Sequence, residues 1–261
     1  MPELPEVERA VRALTRAALG KTIASVRAIH PALKRRLPPP RARLAKGRRI
    51  DSVERRGKHQ LIHLDSGDTL VVHFRMNGDW EFGTTADGLD RFARAVIELA
   101  DGTRVSLVDR RALSSITLDK KGASSLPKLG REASDPSLDA DYLRSALERR
   151  KIAIKPALMD QSVVAGLGNI YAAEALWEAE MDPRKPAAKV SPAKLEKLVD
   201  AIRLVLSPQK RRPGRYTDEG GASRFAVYDR EGKSCRRCGC SIDRITQAGR
   251  STYFCPSCQR R

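Results

Sequence analysis

The amino-terminal part of the chain places apolar residues at the spacing of an α-helix. The positions are Val7, Val11, Leu14 and Ala18. Spacings of three and four residues put such side chains on one helix face, and a glycine such as Gly20 often ends a helix. The pattern therefore predicts a half-buried helix over residues 5–19.

After Gly20 the period of the pattern changes to two. Short apolar runs are separated by turn residues such as Asp101-Gly102, which favours β-strands. Eight strands are predicted, over residues 22–29, 49–55, 60–64, 69–74, 80–82, 93–99, 104–108 and 115–118. Many short strands indicate a sandwich or barrel. The basic, proline-rich loop at residues 34–49 is expected to be exposed.

The helical period returns after residues 120–135, a loop-like stretch that we take as a domain boundary. Helices are predicted around residues 139–149, 155–160 and 170–180, and from Ser191-Pro192, which suits a cap followed by proline at the first position. The predicted class is α+β. Its predicted domains are residues 1–125, 135–223 and 224–261.

The net charge of the chain indicates what kind of partner the protein binds. Its 261 residues include 50 Lys and Arg against 32 Asp and Glu, a formal charge of +18. Such an excess favours a polyanion, most often nucleic acid, with binding that weakens steeply with salt. Attraction to a membrane surface is the alternative, but no basic amphipathic anchor stands out. No apolar run suits a membrane span or a leader, so we expect a cytoplasmic protein, associated with the nucleoid through DNA.

Four of the five cysteines form two Cys-x2-Cys pairs sixteen residues apart: Cys235, Cys238, Cys255 and Cys258. This spacing is typical of a four-thiolate zinc site, and paired disulfides are the alternative, disfavoured in a reducing compartment. Four thiolates leave no coordination position for a substrate, so one structural Zn²⁺ is predicted. Cys240 is expected to be inert. The surrounding segment is basic, and Arg250 lies between the pairs, where a hairpin would present it to a phosphate.

The first residues suggest chemistry as well as a helix start. If Met1 is removed, Pro2 becomes a terminal secondary amine, and an α-amino group titrates near pH ~8, so a useful fraction is neutral. Addition to a sugar aldehyde carbon with loss of water gives a cationic iminium, which favours elimination, and Glu3 and Glu6 are candidate proton carriers. The alternative is a plain helix start, with Pro5 at the first position and Glu6 near the positive helix end.

A glycine-rich turn, Gly166-Leu167-Gly168, separates two predicted helices. Asn169 is expected to cap the second helix, whose first N–H groups suit a phosphate. A plain helix-to-helix turn is the more frequent explanation of this motif alone. Together with the cysteine pairs and the charge, it favours DNA binding.

The chain resembles the formamidopyrimidine-DNA glycosylase and endonuclease VIII family over nearly its whole length. Five motifs occur in the family's order: residues 1–8, Gly57-Lys58, residues 153–160, residues 166–174 and the cysteine pairs. The resemblance implies an N-terminal helix with an antiparallel β-sandwich, and a C-terminal helix-two-turn-helix domain with a β-hairpin zinc finger. It also implies a monomer that binds double-stranded DNA containing a damaged base or an abasic site.

The resemblance implies a bifunctional glycosylase and abasic-site lyase. Pro2 would attack the sugar C1′ and expel the damaged base, Glu3 would transfer protons, and the Schiff base would undergo β-elimination and often δ-elimination. Lys58 belongs to the same catalytic set. Lys58, Asn169 and Arg250 match positions that hold the phosphates around a flipped nucleotide.

The family fills the hole left by an extruded base with three side chains. Met76 resembles the apolar one, and Arg110 or Arg111 resembles the arginine. Ala112 stands where a phenylalanine is expected, and the proline expected after the preceding aspartate is missing. Without an aromatic wedge, lesion search or the choice of opposite base is expected to change, and Leu113 is the candidate substitute.

The sequence leaves alternatives open for both the lesion and the function. Residues 207–225 form a shorter stretch than the loop that covers oxidised purines in the formamidopyrimidine type, so an unusual or bulky lesion stays open. One function is a glycosylase with lyase activity; the other is a non-catalytic binder of damaged DNA on the same scaffold. Pro2, Glu3 and Lys58 together favour the enzyme.

Overall fold

The computed structural model describes residues 2–207 and 224–260. The chain forms two compact units, Met1–Lys128 and Leu129–Arg261. Among the residues described, no helix is both long and apolar enough to cross a membrane.

Helix α1, Leu4–Ala18, opens the first unit. Glu3 is its N-cap, and Pro5 takes the second helical position rather than the predicted first. The Glu3 backbone N–H donates to Glu6 Oε2 at 3.0 Å, and the Glu3 side chain accepts from the Glu6 backbone N–H. This capping box satisfies two N–H groups that a helix start leaves unpaired, an effect worth about 1 kcal/mol per cap. The predicted apolar stripe is buried.

Eight antiparallel strands follow in two four-stranded sheets, with strand orders β1-β6-β7-β5 and β2-β3-β4-β8. Each strand lies within two residues of its predicted range, and the bounds are β1 Ile23–Ala28, β2 Ile50–Arg56, β3 His59–Leu64, β4 Thr69–His73, β5 Asp79–Thr84, β6 Ala93–Leu99, β7 Thr103–Val108 and β8 Ser115–Asp119. The inward residues of both sheets form one core with Ala10, Leu14 and Ala18 of α1. Burying each large aliphatic side chain contributes roughly 1.5–3 kcal/mol. The predicted β-sandwich is confirmed.

The basic segment between β1 and β2 is more ordered than the sequence predicts. It contains the short helices α2, Pro31–Lys34, and α3, Pro39–Ala42, and a 3₁₀ turn. Its Lys and Arg side chains are exposed, as predicted, whereas Leu37, Ala42 and Ala45 are buried in the sandwich core. Three isolated apolar residues in a basic segment have no periodicity that would reveal them.

The second unit contains the predicted helices and a hairpin. Two short parallel strands, β9 Arg131–Glu132 and β10 Val164–Ala165, pair beside the helices, and the remaining elements are α4 Ala140–Leu147, α5 Ile154–Met159, α6 Asn169–Glu178, α7 Pro192–Leu206, β11 Asp243–Gln247 and β12 Arg250–Phe254. Ser191 and Pro192 take the predicted cap and first position of α7.

Glu174 anchors the segment that leads into the hairpin. Its buried carboxylate accepts backbone N–H bonds from Ala226, Val227 and Tyr228, at 2.7, 2.9 and 2.9 Å. Burial raises the pKa of Glu174, although the three bonds act in the opposite direction. Because Glu174 belongs to α6, these bonds fix the start of the hairpin region to that helix.

Candidate functional site

The capping box fixes Glu3 beside Pro2. Glu3 is 1% exposed, and Pro2 is partly buried. The Glu6 carboxylate accepts the Glu3 N–H, so Glu6 holds the backbone in place. The sequence left a helix start and a nucleophile beside a carboxylate as alternatives, and this geometry accommodates both.

An ion pair joins α1 to the turn that carries Lys58. Arg55 Nε lies 2.9 Å from a Glu8 carboxylate oxygen, and the same guanidinium donates to the Gly57 carbonyl at 3.0 Å. Although burial raises it, the Arg55 hydrogen bond and charge hold the pKa of Glu8 below its ordinary value. Lys58 is only 4% exposed. Arg55 therefore places the Lys58 turn against the first turns of α1.

Two loops connect the sheets side by side at the Lys58 end of the sandwich. One joins β4 to β5 and contains Met76; the other joins β7 to β8 and contains Arg110 and Arg111. The strands that flank the loops are paired, through His73 with Ser115 and Asp79 with Val108. His59, next to Lys58, pairs with His73. The sequence-predicted residues of the first unit therefore gather at one end.

Asp109 holds the second of these loops rigid. Its buried carboxylate accepts backbone N–H bonds from Arg111, Leu113 and Ser114, at 2.9, 2.8 and 2.7 Å. Ala112 takes a positive φ of 49°. Leu113 is 45% exposed, so it is the large apolar side chain that this loop presents to solvent.

Arg110 lies against an aromatic ring that the sequence prediction did not consider. Its guanidinium carbon is 5.2 Å from the Phe92 ring centroid, within cation–π range. Arg94 donates to the carbonyls of Asp109, at 2.6 Å, and Arg110. These contacts restrain Arg110 more than its exposure suggests.

In the second unit Asn169 is the first residue of α6, and Gly168 is the N-cap. The expectation that Asn169 caps the helix was therefore wrong by one residue. Its side chain instead donates to the Ser251 carbonyl at 3.0 Å and accepts from Lys155 Nζ. Ser251 follows Arg250, so the structure brings Asn169 and Arg250 together.

Lys155 organises this contact. It is 1% exposed, and its ammonium also donates to Thr252 Oγ1 at 2.8 Å and to the Ser251 carbonyl at 3.1 Å. A buried charge is tolerated when it is hydrogen-bonded in this way. Sequence reasoning assigned Lys155 no role of its own; the available signal was a lysine within the apolar run of α5.

Arg250 stands directly after the tip of the β11–β12 hairpin. Ala248 and Gly249 form the two-residue turn, with φ of 47° and 69°. Positive φ at both positions is typical of the turn that joins two tightly paired strands. The turn leaves Arg250 exposed at the end of the hairpin.

The four predicted metal ligands converge. Their Sγ atoms all lie within 4.8 Å of one another, with Cys235 and Cys258 3.9 Å apart and Cys238 and Cys255 3.5 Å apart. Tetrahedral bonds of about 2.3 Å place sulfurs about 3.8 Å apart, so the cluster fits one Zn²⁺. Trp177 of α6 donates its indole N–H to Cys235 Sγ at 3.4 Å. Cys240 lies outside the cluster.

Three family models match successive parts of this chain. Residues 1–116 match the formamidopyrimidine-DNA glycosylase N-terminal domain, residues 129–212 its H2TH domain, and residues 232–261 the zinc finger found in FPG and IleRS. The formamidopyrimidine-DNA glycosylases of Erythrobacter litoralis and Novosphingobium aromaticivorans are 40% and 39% identical to this chain, and each alignment covers 100% of both proteins.

Solved structures of DNA complexes have the same fold. Lactococcus lactis formamidopyrimidine-DNA glycosylase, non-covalently bound to DNA with an abasic site, superimposes with a TM-score of 0.90 at 30% identity, covering 99% of this chain and 100% of that one. MutM in complex with DNA containing carbocyclic 8-oxo-G gives 0.91 at 30% identity, with both chains fully covered.

These findings confirm the predicted fold, the DNA partner and the single structural zinc, and they favour the enzyme over the non-catalytic binder. The roles of individual site residues stay predictions. The chain belongs to the formamidopyrimidine-DNA glycosylase family and is a DNA glycosylase of base-excision repair.

Proposed function

We propose that the chain removes a damaged base through a Schiff base on Pro2 and then cuts the strand. The neutral Pro2 nitrogen attacks C1′, the glycosidic bond breaks, and the base leaves with the bonding electrons. Loss of the amine proton and opening of the sugar ring give an iminium at C1′. Removal of a C2′ proton then expels the 3′ phosphate by β-elimination, and a δ-elimination releases the 5′ phosphate.

The fixed geometry of Glu3 carries this proposal. The capping box holds its carboxylate beside Pro2, where it would accept the proton that the Pro2 amine loses and deliver it to the sugar ring oxygen as the ring opens. The Arg55 ion pair and hydrogen bond hold the Lys58 turn against α1, which suits Lys58 to a phosphate of the same nucleotide. The same carboxylate that caps α1 therefore lies beside the terminal amine, which is the arrangement that Schiff-base chemistry needs.

DNA binding would use residues of both units. Asn169 and Arg250, joined through Ser251, suit phosphates on either side of the extruded nucleotide. Met76 and Arg110 or Arg111 would fill the vacated stack, with exposed Leu113 in place of the aromatic side chain. The structural zinc, where bound, holds the hairpin that carries Arg250, and its four thiolates take no part in the reaction.

Formamidopyrimidine and related oxidised purines are the proposed lesions. The similar proteins are named formamidopyrimidine-DNA glycosylases. Solved structures of relatives contain DNA with 8-oxo-G, FAPY-dG or an oxidised pyrimidine. The sequence analysis found residues 207–225 to be shorter than the loop that covers oxidised purines. Residues 208–223 of that stretch lie outside the described residues. We also propose that the protein works as a monomer in the cytoplasm, on nucleoid DNA.

The test is a panel of duplexes, each with one lesion: a formamidopyrimidine, 8-oxoguanine, an oxidised pyrimidine, a bulky adduct or an abasic site. Among the duplexes that carry a damaged base, the proposal expects base release to be fastest on the formamidopyrimidine. Strand cleavage should follow release, occur on the abasic-site duplex without it, and be much slower in Pro2→Gly. Fastest release of a bulky adduct would overturn the lesion assignment. Tight binding with neither release nor cleavage on any duplex would establish the non-catalytic binder instead.

A further inference from the structure

Two strained residues lie in the two neighbouring loops that connect the sheets. Within residues 2–207 and 224–260, six residues other than glycine have a positive φ, and Arg75 at 52° and Ala112 at 49° are two of them. Side chains with a Cβ adopt this conformation rarely, and such strain concentrates at functional sites. Arg75 precedes Met76, and its side chain is exposed.

The turn around Arg75 is fixed from both ends. The Gly78 N–H donates to the Phe74 carbonyl at 3.0 Å, which leaves Arg75, Met76 and Asn77 at the tip. The Arg75 N–H donates to His73 Nδ1 at 2.8 Å. A neutral imidazole accepts this bond, and burial together with adjacent positive charge lowers the pKa of His73 to about 3. The conformation of Arg75 is therefore imposed by its neighbours.

The guanidinium of Arg75 has no partner of opposite charge in the parts of the chain that the structure describes, where no carboxylate lies within ion-pair distance of it. Its charge instead lowers the pKa of both His59 and His73, and Lys58 acts on His73 in the same direction. Glycine would adopt the positive φ of this position without the steric cost that Arg75 carries.

We propose that Arg75 is a further DNA-binding residue that contacts a backbone phosphate next to the site filled by Met76. The guanidinium presents paired donors that match a phosphate, and the surrounding cations attract phosphate regardless of base sequence. A phosphate would supply the negative charge that the described residues do not place beside Arg75. This inference rests on the proposed role of the Met76 loop in DNA binding.

The experiment measures dissociation constants for the full-length protein on duplexes with a tetrahydrofuran abasic analogue, which cannot form a Schiff base. Arg75→Ala, Arg75→Gly and Arg75→Lys are titrated from 50 to 300 mM salt, opposite each of the four bases. Arg27→Ala is the matched control, because Arg27 is exposed but already pairs with Glu98 at 2.6 Å. Thermal unfolding shows that each variant is folded.

Arg75→Ala and Arg75→Gly are expected to bind about 5- to 10-fold more weakly at 100 mM salt, equally for all opposite bases, and to lower the salt slope by about one. Arg75→Lys restores the slope, and Arg27→Ala matches the wild type. An unchanged slope in Arg75→Ala, or a loss confined to one opposite base, overturns the proposal. Because the probe cannot react, this result holds or fails independently of the Pro2 mechanism.

Discussion

At the scale of single residues, the buried polar groups of this protein fix their neighbours in place. Glu3 and Glu6 cap a helix, Asp109 holds a loop, and Lys155 joins Asn169 to the hairpin. The sequence predicted which residue types lie at the site, because those residues belong to short contiguous motifs. It did not predict the role of Lys155, whose partner Thr252 lies 97 positions away.

The first prediction concerns His59 and His73 and the dependence of stability on pH. Their rings meet edge to face, with centroids 4.6 Å apart. Burial first, and then the nearby Arg75, lower the pKa of His59 to about 4; burial, His59, Arg75 and Lys58 lower that of His73 to about 3. In the unfolded chain each titrates near 6.5, so below that pH the unfolded state binds protons that the folded state does not.

The free energy of unfolding should therefore decrease as pH falls from about 6.5 towards 4, by up to about 1.4 kcal/mol per pH unit for each histidine. Urea unfolding at pH 7, 6 and 5 measures this, and His73→Asn, which keeps an acceptor for Arg75, should flatten the dependence. His63→Asn, at a partly exposed position, is the control. A pH dependence that His73→Asn leaves unchanged would refute the assignment.

At the scale of elements, periodicity predicted the sandwich strands and the main helices, because their faces are buried at regular spacing. Periodicity did not reveal the α2–α3 segment, because Leu37, Ala42 and Ala45 are buried there without a regular repeat. It also placed the α6 cap one residue late, since Asn169 is drawn into the side-chain network rather than onto the helix end. Residue composition cannot distinguish these two uses of an asparagine.

The Met76 turn supplies the element-scale prediction. A Cβ on Gly78 would lie 2.8 Å from both the Phe74 Cα and its carbonyl oxygen, and neither backbone atom can move away independently. Gly78→Ala should therefore destabilise the protein by about 1–3 kcal/mol and weaken DNA binding through displacement of Met76. Gly88→Ala is the matched control, because nothing lies within 4 Å of its added Cβ. Equal urea midpoints for the two variants would contradict this account of the turn.

At the scale of the whole molecule, charge and motif order identified the partner and the family, and the comparisons agree. The chain has a formal charge of +18, and its solved relatives bind DNA. Sequence alone left the lesion open, because specificity depends on side chains that converge around the extruded base. Those positions are set by loops whose shape, as at Ala112 and Leu113, does not follow from residue type.

For the whole molecule, we predict that removal of zinc weakens DNA binding. Without the ion, the four thiolates within 4.8 Å of one another repel or take up protons, and the hairpin loses the link that fixes Arg250. Chelation should weaken DNA binding at least tenfold while the first unit keeps its β-sheet circular dichroism. Cys240→Ser, outside the cluster, should retain one zinc. Binding that is insensitive to complete zinc loss would contradict the role of the hairpin.

In the proposed mechanism the amine of Pro2 forms the covalent intermediate. The most direct measurement is borohydride reduction of the native protein on abasic-site DNA, followed by proteolysis and mass spectrometry of the cross-linked peptide. We expect one adduct, on the peptide that begins at Pro2 with Met1 absent, and no adduct on protein that retains Met1. An adduct on a lysine such as Lys58, or strand cleavage by protein that retains Met1, would contradict it.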